Sequence, residues 1–173
     1  MENTRLRRLL LTAIFAALTA VGAYVRIGSV TLQVFFACVS GMLLGPLWGT
    51  ASQGLYVALG LLGLPVFTQG GGPMYVMQPT FGFLLGLLPL AAVTGWLSRY
   101  YKIPLFMSAV GGLCAMYAVA LPYFYFITGQ LLGLEALFMT ACAPYLPFDG
   151  LKLLSACLLG QRLRLLLRND LIF

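Results

Sequence analysis

Between Ile27 and Ser98 the chain carries no Asp, Glu, Lys or Arg, an uncharged run of 72 residues (27–98). A soluble domain takes about a quarter of its residues as charged groups to hold its surface in water. A run of this length cannot provide that surface. A membrane-spanning helix needs about 20 apolar residues, so the run alone accommodates three spans with their turns. The rest of the chain agrees: 61% of the 173 residues are hydrophobic and 8% are charged. The fold class expected is an all-α integral membrane protein, a single transmembrane domain over residues 1–173.

Several chemistries are excluded by what is missing. There is no His, and hence no imidazole for acid–base work or for the commonest kind of metal ligation. Cys38, Cys114, Cys142 and Cys157 are scattered, with no C-x-x-C pair, and read as small apolar fillers. No metal site and no cofactor are expected. The G-x-x-x-x-G-K-[ST] loop is absent, so any ATP must be bound by other subunits. A membrane enzyme would need a convergent acid, base or nucleophile set. The only Asp residues are Asp149 and Asp170, the latter in the tail, and no catalytic residue is assigned.

The apolar segments predict six spans: about Leu6 to Tyr24, Leu32 to Leu47, Gly49 to Leu64, Pro79 to Leu97, Leu105 to Ile127, and Phe148 to Leu167. The second and third are short and rich in Gly. Pro65 to Gln78 reads as a loop, and Thr128 to Pro147 as a longer connection with turn-forming Gly129, Pro144 and Pro147. Six spans put both termini on one side with Arg5, Arg7, Arg8, Arg99, Lys102, Arg162, Arg164 and Arg168, eight of the ten basic residues. The positive-inside bias makes that side cytoplasmic, facing the interior of a prokaryotic cell membrane. Five spans, the rival count, would send the Arg162–Arg168 cluster outside and weaken the bias. The net charge of +6 is thus a topology anchor rather than a nucleic-acid surface. The basic start followed by an apolar run also fits a cleavable signal peptide, but Val25, Arg26 and Ile27 follow at once without a small-residue cleavage site, so a retained first helix is expected.

Asp149 and Lys152 stand out in the first turn of the sixth span. A charge near mid-membrane costs about 2.5–3.5 kcal/mol on insertion scales. Their spacing of three puts them on one helix face, within reach of each other. They can pair to orient the helix, Lys152 can snorkel outward, and Asp149 can cap the helix N-terminus. Alternatively the pair is a solute site, the ammonium taking an anionic or carbonyl oxygen and the carboxylate accepting N–H donors.

The loop from Leu64 to Thr80 falls on the same outer side. Gly70, Gly71 and Gly72 permit positive φ and a close backbone approach to a ligand, Phe67 and Tyr75 offer apolar and stacking surface, and Gln69, Gln78 and Thr80 offer neutral hydrogen bonds. The bland alternative is a re-entrant turn with no ligand. In the first span, Ala13 with Ala17 and Ala16 with Ala20 form two Ala-x-x-x-Ala pairs that let another helix pack closely, either in this chain or in a partner.

Taken in order, Val30-Thr31-Leu32-Gln33, Gly45-Pro46-Leu47-Trp48-Gly49, Gly63-Leu64-Pro65-Val66-Phe67 with the Gly run, Pro79 through Gly86, and Pro147-Phe148-Asp149-Gly150-Leu151-Lys152 resemble the BioY biotin-uptake proteins, the substrate-binding S components of energy-coupling factor (ECF) transporters. The resemblance covers most of the chain. It implies a six-helix S-component fold that captures biotin from outside and delivers it inward with a transmembrane coupling protein and two cytoplasmic ATPases. It also implies that Asp149 and Lys152 contact the ligand and that the alanine strip (Ala13, Ala16, Ala17, Ala20) docks on the coupling protein. Some members have a basic ligand contact near the loop and the fourth span; here only Gln69, Gln78 and Thr80 stand there.

Biotin has an apolar sulfur-ring side, a ureido group with two N–H donors and a carbonyl, and a carboxylate tail, which call for an apolar wall, a few polar groups and a cation. Phe36, Phe67, Tyr75 and Tyr117 can form the wall; Asp149, Gln78 and Thr80 suit the ureido group, and Lys152 an anionic or carbonyl oxygen, so that either end of biotin can meet the Asp149–Lys152 pair, with Gln69 and Gly71 of the loop completing the candidate set. Other readings are an S component for riboflavin or thiamine, a solitary biotin carrier, and an assembly protein that uses only the alanine strip.

Overall fold

Gly45 and Pro46 decide how the long uncharged run folds. In the computed structural model, which describes residues 2–27, 30–128, 139, 143 and 145–166, residues Gln33–Leu61 form one helical element, α2. It is broken at Gly45, whose φ of 78° and ψ of −176° lie outside the helical region. Only glycine takes such a φ without the strain a Cβ brings. Pro46 then opens the second half, where a missing N–H costs nothing.

The two halves, 33–44 and 46–61, fold back on each other. A Cβ on Gly49 would lie 2.8 Å from the Cα of Gly41, residues that a straight helix would hold about 12 Å apart. Gln53 Nε2 donates to Ser40 Oγ at 3.2 Å, and Gln33 Nε2 to the Tyr56 hydroxyl at 2.5 Å. The expected boundary at Trp48 therefore moves to Gly45: the two short spans are the arms of one kinked element. The break at Gly45 leaves the Met42 carbonyl, in the last turn of the first arm, without an i+4 donor. Arg164 supplies one from elsewhere, with Nε at 3.1 Å and Nη2 at 2.5 Å from that oxygen, and Nη2 reaches Ser98 Oγ at 2.9 Å.

Around this hairpin stand α1 (Glu2–Tyr24), α3 (Phe81–Tyr100), α4 (Leu105–Thr128) and α5 (Leu146–Leu166), so five helical elements are present among the described residues. The α2 element packs most extensively on α3 and next on α1; α3 packs on α4, and α5 on α2 and α4. Close approach of α2 and α3 needs bare backbone: a Cβ on Gly41 would meet the Ala91 carbonyl oxygen at 2.4 Å. Among the described residues, four helices (α1 to α4) are long and apolar enough to cross a membrane.

Helix α5 is inverted relative to a soluble helix. Asp149, Lys152, Leu153, Ala156, Cys157 and Gly160 point inward, while Leu151, Leu154, Leu158 and Leu165 are exposed. That is the arrangement expected where the outer solvent is hydrocarbon and charge is tolerated only inside the bundle. The helix starts two residues before the predicted Phe148 because the Asp149 N–H bonds the Tyr145 carbonyl at 2.8 Å. Most of the predicted Thr128–Pro147 connection, including Gly129 and Pro144, lies outside the described residues.

Two small features were not expected from sequence. Arg26–Ile27 and Val30–Thr31 form a two-stranded antiparallel hairpin (β1 and β2), with Arg26 opposite Thr31. Within the α2–α3 loop, Pro73–Met77 forms a 3-10 turn, and Phe67 and Gly70 exchange backbone hydrogen bonds. Hydroxyls tie the loop to the bundle: Tyr24 donates to the Pro65 carbonyl and Tyr123 to that of Val76.

Candidate functional site

A cavity of about 330 Å³ opens among the hairpin, the start of α2, the α2–α3 loop and one face each of α3, α4 and α5. The α3 wall is Thr80, Phe83, Leu84 and Leu87, spaced as one helical face. Met116, Tyr117 and Phe124 come from α4, and Tyr145, Asp149 and Lys152 from α5 and the residue before it. The size falls within the range of small-molecule sites, and a mainly aliphatic and aromatic lining with a few convergent polar groups is their usual composition.

Asp149 and Lys152 lie at the enclosed end, 3% and 9% exposed. Lys152 Nζ donates to Asp149 Oδ1 at 2.8 Å, and Tyr117 donates its hydroxyl proton to Oδ2 at 2.7 Å. Both carboxylate oxygens thus have a partner, which is what allows a charge to persist away from water. Lys152 does not snorkel to the outside. Tyr117 is itself positioned by edge contact with Phe83, ring centroids 6.0 Å apart.

A second polar chain runs along another part of the lining. Thr31 Oγ1 donates to Gln33 Oε1 at 2.8 Å, Gln33 to Tyr56, and the Tyr56 hydroxyl to the Val66 carbonyl at 3.2 Å. It links the hairpin, both arms of α2 and the loop. Thr68 and Tyr75, both in the lining, share a hydroxyl–hydroxyl bond of 3.1 Å.

Of the residues singled out from sequence, Asp149, Lys152, Tyr117, Tyr75, Thr80 and Gln69 come together around the cavity. Phe67, Gln78, Gly71 and Phe36 are not in its lining. Phe67 is fully buried one layer behind, its ring centroid 4.6 Å from that of Tyr75 and 5.5 Å from that of Tyr56. Gln78 closes the 3-10 turn through its backbone N–H to the Tyr75 carbonyl, at 3.0 Å. Gly71 presses on the end of α2, where a Cβ would stand 2.1 Å from the Leu64 carbonyl oxygen; the close approach is to the chain itself. Phe36 packs over Gly22 of α1. The alanine pairs divide: Ala16 is buried and Ala20 half-buried, whereas Ala13 and Ala17 are exposed.

Sequence reasoning missed Arg26, Thr31, Gln33 and Thr68, and most of the apolar wall. The 80/83/84/87 spacing on α3 was available as a signal, as was 145/149/152 around α5. Nothing marked Arg26, because two-residue strands carry no periodicity.

A family model described as the BioY family matches residues 1–169. The probable biotin transporter BioY of Lysinibacillus sphaericus is 38% identical over 93% of this chain and 88% of its own. The biotin transporter BioY of Thermotoga maritima is 35% identical over 92% and 96%. In fold, the chain superposes with a TM-score of 0.83 on a crystal structure of the S-component for biotin from an ECF-type ABC transporter, at 24% identity, covering 95% of this chain and 94% of that one. The fold is shared over nearly the whole length, and the sequence likeness is well above what fold alone requires: this multi-pass membrane chain belongs to the BioY family.

Proposed function

We propose that this chain is the membrane-embedded biotin-binding subunit of an uptake system, taking biotin from the outer side and releasing it inward. The observation that carries the reading is the buried Asp149–Lys152 pair, capped by Tyr117, facing a largely apolar cavity in a chain whose relatives are named biotin transporters. The ureido N–H groups suit the Asp149 carboxylate, its carbonyl suits the Lys152 ammonium, and the sulfur ring suits Phe83, Leu84, Leu87 and Met116. Tyr75, Thr80 and Gln69 complete the site from the loop and the head of α3.

The transport unit has six spans, counting the two arms of α2 separately, with both termini in the cytoplasm of a prokaryotic cell. The fold-back at Gly45 and the clustering of eight of the ten basic residues on one side support this topology. Energy comes from an ECF coupling protein and two ATPase subunits, which bind the ATP. Ala13 and Ala17, the exposed alanine pair, are the docking strip; Ala16 and Ala20 serve packing within the chain. The chain itself performs no covalent chemistry.

Binding of biotin to the purified full chain in lipid nanodiscs, by titration calorimetry, tests the reading. Saturable submicromolar affinity is expected, about −8 kcal/mol or better. No saturable binding overturns it, and tighter binding of riboflavin or thiamine in competition reassigns the ligand.

A further inference from the structure

The cavity is lined by two cations and one carboxylate. Asp149 is the single carboxylate among the described lining residues, and its charge is already matched by Lys152 at 2.8 Å. The second cation is Arg26, on β1. Asp149 and Lys152 are buried, and Arg26 is exposed, so the neutralised pair lies at the closed end and the guanidinium at the open end. Among the described residues, the arrangement leaves one unmatched positive charge in the lining, on the exposed Arg26, which favours a ligand with one anionic group.

We propose that Arg26 is the carboxylate-recognising residue of this site and that it sets the direction in which the ligand enters. The proposal takes its ligand, biotin, from the function proposed above. The enclosed end cannot easily take the carboxylate. There a second anion would stand beside Asp149 with one ammonium to share, in surroundings where like charges repel far more strongly than in water. A neutral urea has no such conflict: it offers N–H donors to the carboxylate and an oxygen to the ammonium. The carboxylate then belongs at the wet end, where the guanidinium fork matches its two oxygens and neither group is stripped of solvent.

The hairpin explains why Arg26 is held there. It pairs across the ladder with Thr31, and the Leu32 N–H bonds the carbonyls of Gly22 and Val25, so the strand is tied to the end of α1. Thr31 in turn is bonded to Gln33, at the head of α2. Among the described residues, the cation is thereby placed by backbone pairing rather than by a partner acid.

The test compares biotin with biotinamide, its neutral amide, on the full chain in nanodiscs, for the wild type, Arg26→Gln and Arg26→Lys. The wild type is expected to prefer biotin by about tenfold, a charge-assisted contact at an exposed position. Arg26→Gln should bind both probes alike, at the wild type's biotinamide affinity, and Arg26→Lys should restore part of the preference. Unchanged biotinamide affinity also certifies that the variant is folded. A preference that survives in Arg26→Gln, equal wild-type affinity for the two probes, or equal weakening of both in the variant overturns the assignment. Wild-type protein that binds neither probe overturns the biotin reading and this assignment together, whereas biotin binding without an Arg26 effect overturns this one alone.

Discussion

Replacing both members of the buried ion pair separates a binding role from a packing role. Lys152 Nζ is 2.8 Å from Asp149 Oδ1, and Tyr117 holds Oδ2 at 2.7 Å. Lys152→Met leaves a buried carboxylate with one neutral donor, and breaking a buried pair in this way costs about 3–5 kcal/mol. Asp149→Leu combined with Lys152→Met removes the charge altogether and fills a similar volume. Such joint replacements range from neutral to about 1–4 kcal/mol stabilising. Ligand binding should not follow stability. The single variant loses one polar contact to the ureido group and the double variant two, each worth about 1.5–3 kcal/mol when one partner is charged. Two such contacts amount to on the order of a hundredfold or more in affinity. Thermal unfolding in detergent measures the first effect and calorimetry with biotin in nanodiscs the second. The expected pattern is an unstable single variant with binding weakened at least about tenfold and a stable double variant weakened on the order of a hundredfold or more. A stable double variant with wild-type affinity refutes the site. A double variant as unstable as the single one refutes the electrostatic reasoning.

Tyr117→Phe keeps the ring against Phe83 and removes only the hydroxyl bond to Asp149, so biotin affinity should fall about tenfold, read by the same calorimetry. Gly45→Ala forces a Cβ onto a residue with φ of 78° and to within 2.6 Å of Arg99 Nη1; a loss of at least about 1–2 kcal/mol is expected in thermal unfolding, and an unchanged midpoint would show that the kink does not depend on glycine. Arg164→Met removes the donors that satisfy the Met42 carbonyl at the end of the first arm of α2, and unfolding should move several degrees lower, with biotin affinity unchanged in the folded fraction. Ala16→Trp, at a buried position, should destabilise the chain by itself. Ala17→Trp, on the exposed face, should leave unfolding and biotin binding alone but abolish co-purification with a co-expressed coupling protein; retained co-purification would remove this strip from the docking surface.

Some of this protein was readable one residue at a time. The uncharged run from Ile27 to Ser98 dictates lipid as the solvent, since no surface of such residues is stable in water. Helix positions followed, because apolar runs of spanning length are bounded by Gly, Pro and charge; α4 begins at Leu105 as predicted and ends one residue past Ile127. Asp149 and Lys152 were legible as a pair because three residues is a fixed distance on a helix. The alanine spacing was likewise visible.

Which way each face points was decided only by the assembled bundle. In water, the contrast between polar and apolar positions tells the inner face of a helix from the outer. In lipid both faces are apolar, so Phe67, Phe36 and Tyr75 look equally suited to a cavity wall, and only packing places Tyr75 in it, with Phe67 a layer behind and Phe36 against α1. The same loss of contrast made Ala13 and Ala16 equivalent in sequence, although one is exposed and the other buried. Arg26 joined the site through a two-residue ladder, and it shares a cavity with residues more than a hundred positions away in the chain, Asp149 and Lys152 among them. Local pattern extends a few residues along a helix or strand; contacts of that separation exist only once the helices have packed.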